Sequence, residues 1–129
     1  PNNEKIFWNC IDDLEGKKTR MELLNKWKNE LENIVFLTGS CKSILKNFHL
    51  DRVNFAFLDA QHDYENIKNE FNFVFERQKK GDLIIFDDVN FSEFPEISKF
   101  INDLKSKKIY DINIISSSKS RSYCLAKKI

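Results

Sequence analysis

The chain alternates short, nearly unbroken apolar runs with longer segments in which apolar residues recur every three or four positions. Val53-Asn54-Phe55-Ala56-Phe57-Leu58 and Leu83-Ile84-Ile85-Phe86 are the clearest runs. Their length and continuity suit strands buried on both faces of a parallel sheet. Between them Tyr64, Ile67, Phe71, Val74 and Phe75 form a helical stripe. Asp63 is placed to cap that helix, and Lys79-Lys80-Gly81 to supply a cationic last turn and a stop. Upstream, Lys5 to Ile11 reads as a strand closed by Asp12-Asp13, and Met21, Leu24, Trp27 and Leu31 as an amphipathic helix. Ile34 to Leu37 reads as a second strand, punctuated by Gly39-Ser40, and Ile44, Leu45 and Phe48 as a short helix. Downstream, Pro95 opens a helix whose inward residues are Ile97, Phe100, Ile101 and Leu104. Tyr110 to Ser116 and Ser122 to Ala126 then form two strands, antiparallel about a serine-rich loop.

Both central runs stop on carboxylates, Asp59 after the first and Asp87-Asp88 after the second. In an open α/β sheet ligands gather outside the carboxyl ends of the strands, and paired strands lie only about 4.8 Å apart, so these acids converge on one edge. Three clustered anions repel one another, and a divalent cation such as Mg²⁺ is the natural relief; its octahedral shell leaves positions for water and a chelating substrate. His62, three residues after Asp59, offers a neutral imidazole able to take a proton from a hydroxyl near neutral pH. Successive strand residues point to opposite faces, so Asp87 and Asp88 both reach a cation only where the pleat has ended. Otherwise one of them caps a turn. The blander account of Asp59 and His62 is a loop-bound carboxylate beside an idle imidazole.

Composition narrows the class. With 129 residues, 41% hydrophobic and 13% aromatic, the chain is one globular domain's worth. Its formal net charge of +1 and scattered basic residues give no footprint for nucleic acid or an anionic membrane. Lys105, Lys107 and Lys108 read as a charged helix end. Neither a transmembrane stretch nor a secretory signal is legible, so a cytoplasmic protein is expected. Cys10, Cys41 and Cys124 are odd in number and far apart, which favours free thiols over a disulfide framework or zinc site.

The stretch Phe55-Ala56-Phe57-Leu58-Asp59-Ala60-Gln61-His62-Asp63-Tyr64-Glu65, followed by Lys79-Lys80-Gly81-Asp82-Leu83-Ile84-Ile85-Phe86-Asp87-Asp88, resembles class I S-adenosylmethionine-dependent methyltransferases. Within that superfamily it is similar to the metal-dependent branch of macrocin and mycinamicin sugar O-methyltransferases. The resemblance runs from about Ile6 to the C-terminus. It implies a Rossmann-like, doubly wound, mostly parallel α/β sheet of seven strands with a C-terminal antiparallel strand. It also implies Asp59, Asp87 and Asp88 as metal ligands and His62 as the catalytic base. Asp12, after the family's second strand, falls where an acid binds the cofactor ribose, and Gly39 and Ser40 fall at the turn near the adenine. The implied cofactors are S-adenosylmethionine and Mg²⁺ or another divalent cation, and the implied substrate is a small molecule, a sugar hydroxyl among the candidates. Self-association into a homo-oligomer is left open.

One departure stands out. The family's glycine-rich loop after its first strand has no counterpart, since Gly16, Gly39 and Gly81 are the chain's three glycines and none lies in a G-x-G context. The chain also begins with proline. The expectation is an N-terminally truncated fragment, residues 1–129 being a partial class I methyltransferase domain without its first strand, glycine loop and first helix. Two other readings compete. A non-catalytic methyltransferase-like scaffold draws support from the missing loop. A Mg²⁺-binding receiver-type signalling module also gathers acids at strand ends, but there the acidic pair precedes the lone acid.

Overall fold

A computed structural model of the chain describes residues 5–8, 34–37, 39–59, 61–90, 92–116 and 121–129. It divides into two compact units, Pro1–Phe48 and His49–Ile129. In the first, β1 (Lys5–Trp8) pairs in parallel with β2 (Ile34–Leu37), Lys5 opposite Ile34 and Trp8 opposite Leu37. A short helix α1 (Cys41–Asn47) follows, capped by the Ser40 side chain, which accepts from Ser43 N–H at 3.3 Å. Gly39 makes the turn before it at φ +150°, a conformation that favours glycine. Asp12 and the helix expected over Met21 to Leu31 lie outside the described residues. Cys41 is disulfide-bonded, which corrects the expectation of a free thiol there; sequence spacing does not report which cysteines meet in space.

The second unit holds a four-stranded mixed sheet in the order β3 (Phe55–Leu58), β4 (Leu83–Phe86), β6 (Ser122–Lys128), β5 (Tyr110–Ser116). β3 and β4 are parallel, whereas β6 runs antiparallel to both β4 and β5. The expected antiparallel last strand is thus inserted between β4 and β5. Helices α2 (Tyr64–Glu76) and α3 (Pro95–Ser106) connect β3 to β4 and β4 to β5. Asp63 caps α2 by accepting from Asn66 N–H at 2.9 Å, as its position predicts. The other end differs from expectation. α2 stops at Glu76 with Arg77 as C-cap, and no basic residue lies in its last turn. Lys79-Lys80-Gly81 instead form the turn into β4, with Gly81 at φ +93°. The carbonyls of α2 are met from near and far: Arg77 Nη1 donates to Phe73 O at 2.8 Å, and Lys128 Nζ, on β6, donates to Phe75 O at 2.8 Å and, just past the helix, to Gln78 O at 2.9 Å.

Strand alternation decides which face is buried. Ala56, Leu58, Ile84, Phe86, Cys124 and Ala126 point into the core, where they meet Ile67, Phe71 and Val74 of α2 and Ile97, Phe100, Ile101 and Leu104 of α3. Phe86 is fully buried, its ring 6.5 Å from Phe71 and 5.9 Å from Phe100 between centroids. On the other face Phe55 and Phe57 stay about half exposed. Burial raises the free Cys124 thiol to about 12, so it is inert packing. At the end away from the acids Asp82 is buried and paired with Arg52, whose guanidinium holds its carboxyl below the ordinary range. Among the described residues no helix is long and apolar enough to cross a membrane.

Phe86 joins both helices to the sheet, so truncating it opens a cavity that the aromatic cluster cannot close. Phe86→Ala should lower stability by about 3–5 kcal/mol in urea denaturation, with an unchanged or smaller slope.

Candidate active site

The site is built at the carboxyl ends of β3 and β4. Leu58 lies opposite Phe86, so the register carries Asp59 and Asp87 to the same edge, and Asp87 N–H continues the ladder to Leu58 O at 3.0 Å. The pleat ends there. Asp88 adopts φ +53°, in the left-handed region that an aspartate tolerates better than most residues. The chain then closes on itself through Asn90 N–H to Asp88 O at 2.8 Å and is tied to β6 through Val89 N–H to Ser122 O at 2.9 Å. This turn separates the two neighbouring carboxylates.

Asp88 faces outward to the loop that follows β3. Its Oδ2 lies 3.0 Å from His62 Nε2, and Asp59 Oδ1 lies 4.0 Å from the same nitrogen. One ligand atom from each of Asp59, His62 and Asp88 falls within 4.8 Å of the others. His62 Nε2 is itself shielded from solvent and has no aligned hydrogen bond, so its contact with Asp88 is a close approach of charge to imidazole. The face of the imidazole stacks on Phe94, with centroids 4.4 Å apart and planes at 28°.

Asp87 points elsewhere. It is 3% exposed, its Oδ1 accepts Asp88 N–H at 2.8 Å, and its Oδ2 lies 3.6 Å from the Arg121 guanidinium. Of the acids and histidine singled out by the sequence, the structure therefore gathers Asp59, Asp88 and His62 and holds Asp87 beside them against a cation. Gly39 and Ser40 belong to the first unit, where the Ser40 side chain caps α1.

Withdrawal from solvent raises the Asp59 carboxyl above its usual range, and repulsion from Asp87 and Asp88 adds to it; His62 and Arg121 offset part of the shift. Two carboxylates and an imidazole within mutual reach suit a small divalent cation, with oxygen donors matching Mg²⁺ and the nitrogen admitting softer ions.

Two site residues escaped the sequence reading. Arg121 read as part of a loop, yet the start of an antiparallel strand lies at the same edge as the ends of its parallel neighbours, which was the available signal. Glu70, three residues after Ile67 and one before Phe71, sits on the buried stripe of α2 and is 6% exposed. Burial first, and then Asp63 and Asp59, push its carboxyl from 4.5 to about 7.

The comparisons with known proteins agree with this architecture. A family model described as a methyltransferase domain matches residues 3–89, well over half of the 129-residue chain. The chain belongs to that methyltransferase-domain family. A Klebsiella pneumoniae protein described as an O-methyltransferase superposes with a TM-score of 0.77 at 16% identity, over 95% of this chain and 60% of its own. The O-methyltransferase TomG from Streptomyces achromogenes, involved in tomaymycin synthesis and solved with SAM, gives 0.75 at 13% identity, over 95% and 60%. An O-methyltransferase from Bacillus cereus in complex with SAH gives 0.69 at 17% identity, over 95% and 62%. At these identities the likeness establishes the Rossmann-like fold, and the chain spans about three-fifths of the length of these structures. No curated protein matches the sequence.

Glu70 generates a stability prediction. A carboxyl that titrates at about 7 when folded and near 4.5 when unfolded binds its proton more tightly in the folded chain. Its contribution is complete below pH 4.5 and is lost as pH rises through about 7. Glu70→Gln in EDTA should flatten the fall in denaturant stability across that window and gain about 3 kcal/mol at pH 8. An unchanged pH profile would remove Glu70 as its source.

Proposed function

We propose that this chain is the catalytic-edge part of an S-adenosylmethionine-dependent methyltransferase that methylates a hydroxyl of a small molecule or sugar with the help of a divalent cation. The observation carrying this reading is the meeting of His62 with Asp88 and Asp59 at the ends of two parallel strands. Family membership, and the SAM and SAH held by structures of the same fold, support the cofactor. The macrocin-like branch and a sugar as acceptor belong to the same proposal.

Bound S-adenosylmethionine supplies an activated methyl group, and a bound Mg²⁺ makes an oxygen that it contacts more acidic. The chain's own residues do the rest. Asp59 and Asp88 offer outward carboxylate oxygens for the cation, with Asp87 adding negative charge from beneath. His62 is the residue placed to accept the hydroxyl proton, its Nε2 making no aligned hydrogen bond within the chain. Asp88, 3.0 Å away, stabilises the imidazolium that results. Arg121, 3.6 Å from Asp87 Oδ2, offsets part of that acid's charge. Methyl transfer is an in-line displacement, and alignment of the acceptor oxygen is what the fixed strand ends contribute. Asp12, Gly39 and Ser40 are the proposed contacts to the cofactor's adenosine.

In the full-length protein His62→Ala should lower turnover by about 10²–10⁴-fold while S-adenosylmethionine binding, read by calorimetry, persists. Asp59→Ala and Asp88→Ala should each abolish activation by Mg²⁺. Normal turnover in His62→Ala and Asp59→Ala would overturn the assignment.

A further inference from the structure

Phe94 sits where helix chemistry disfavours an aromatic residue. It is the N-cap of α3, yet it gives the helix no side-chain hydrogen bond. That position ordinarily selects Ser, Thr, Asp or Asn, whose oxygen accepts an amide of the first turn. Ser92 is close by, but its hydroxyl and amide are committed to the Asn90 side chain at 2.8 and 3.0 Å. The backbone around Phe94 is held on both sides. Its N–H donates to Asn90 O at 2.7 Å, and its carbonyl accepts from Ser98 N–H at 3.3 Å. What this rigid mounting presents is a ring lying against His62, at 4.4 Å and 28°.

The geometry of that contact is informative. An imidazole on a single-turn loop rotates freely about its Cβ–Cγ bond unless something limits it. Asp88 Oδ2 approaches its edge at 3.0 Å, which fixes where Nε2 lies but leaves the tilt of the ring open. A flat ring against its face removes the tilt. Both restraints come from the one connection between β4 and α3, Asp88 near its start and Phe94 at its end, and Val89 ties that connection to β6.

We propose that Phe94 is a positioning residue, its ring holding the His62 imidazole in the plane from which Nε2 meets the acceptor hydroxyl. This rests on His62 acting as the base. A purely structural Phe94 would serve α3 instead, and the two roles predict opposite responses to a better cap.

Phe94→Ser in the full-length protein supplies the missing cap and removes the ring. Its thermal midpoint should hold or rise, whereas kcat should fall by about tenfold or more with KM values for S-adenosylmethionine and acceptor changing less than about threefold. Phe94→Tyr keeps the ring and should restore kcat to within about threefold. The His62 ring-proton resonances, displaced by the Phe94 ring current, should move in Phe94→Ser and stay in Phe94→Tyr. Wild-type kcat in Phe94→Ser, or Phe94→Tyr as slow as Phe94→Ser, overturns the proposal. Failure of the underlying base assignment shows itself separately, as undiminished turnover in His62→Ala, and removes the proposal with it.

Discussion

The parallel register of β3 and β4 governs the rest of the site, because Leu58 opposite Phe86 obliges the next residue of each strand to emerge at one edge. Everything polar is at that edge or at the far end, and the stretch between is apolar. Phe86 locks the register from the core side, wedged between Phe71 of one helix and Phe100 of the other. A slip of one residue would expel Phe86 into solvent and turn Asp87 inward without its partner. Packing and the geometry of the candidate site are therefore enforced by the same hydrophobic contacts.

Charge at this edge is organised in depth. Asp87, the deepest carboxylate, is matched by Arg121 and by the amide of its neighbour. Asp59 and Asp88 lie further out without a cationic side chain of their own among the described residues, apart from what His62 offers when protonated. Glu70, buried on α2, favours its neutral form, first because of that burial and then because of Asp63 and Asp59. A buried acid under a cluster of acids costs stability, and such a cost is characteristic of a surface arranged for binding and not for folding.

The sequence disclosed much of this through local signals. Apolar continuity marked β3 and β4, the spacing of Ile67, Phe71 and Val74 marked α2, and Asp63 and Pro95 marked helix starts that the structure reproduces. The strand ends at Asp59 and Asp87 were legible because polarity changes abruptly there. What stayed hidden depends on long-range contact. Lys79 and Lys80 look like a helix end, but the cations that meet carbonyls of α2 are its C-cap Arg77 and Lys128, 53 residues from Phe75. Strand alternation already sets Asp87 and Asp88 apart, but the left-handed turn that brings the Asp88 carboxylate to His62 is encoded by no periodicity. Arg121 and Phe94 reach the site from segments whose local patterns describe only a loop and a helix start.

Asp88 carries a double obligation. Its backbone lies at φ +53°, where β-branched and bulky residues are strained, and its side chain must present an oxygen to the imidazole. Glycine meets the first demand and fails the second; glutamate offers the oxygen but fits the turn poorly. Asparagine alone among the neutral residues answers both. The turn and the imidazole contact thus leave the charge of residue 88 as the one property that can change without disturbing either.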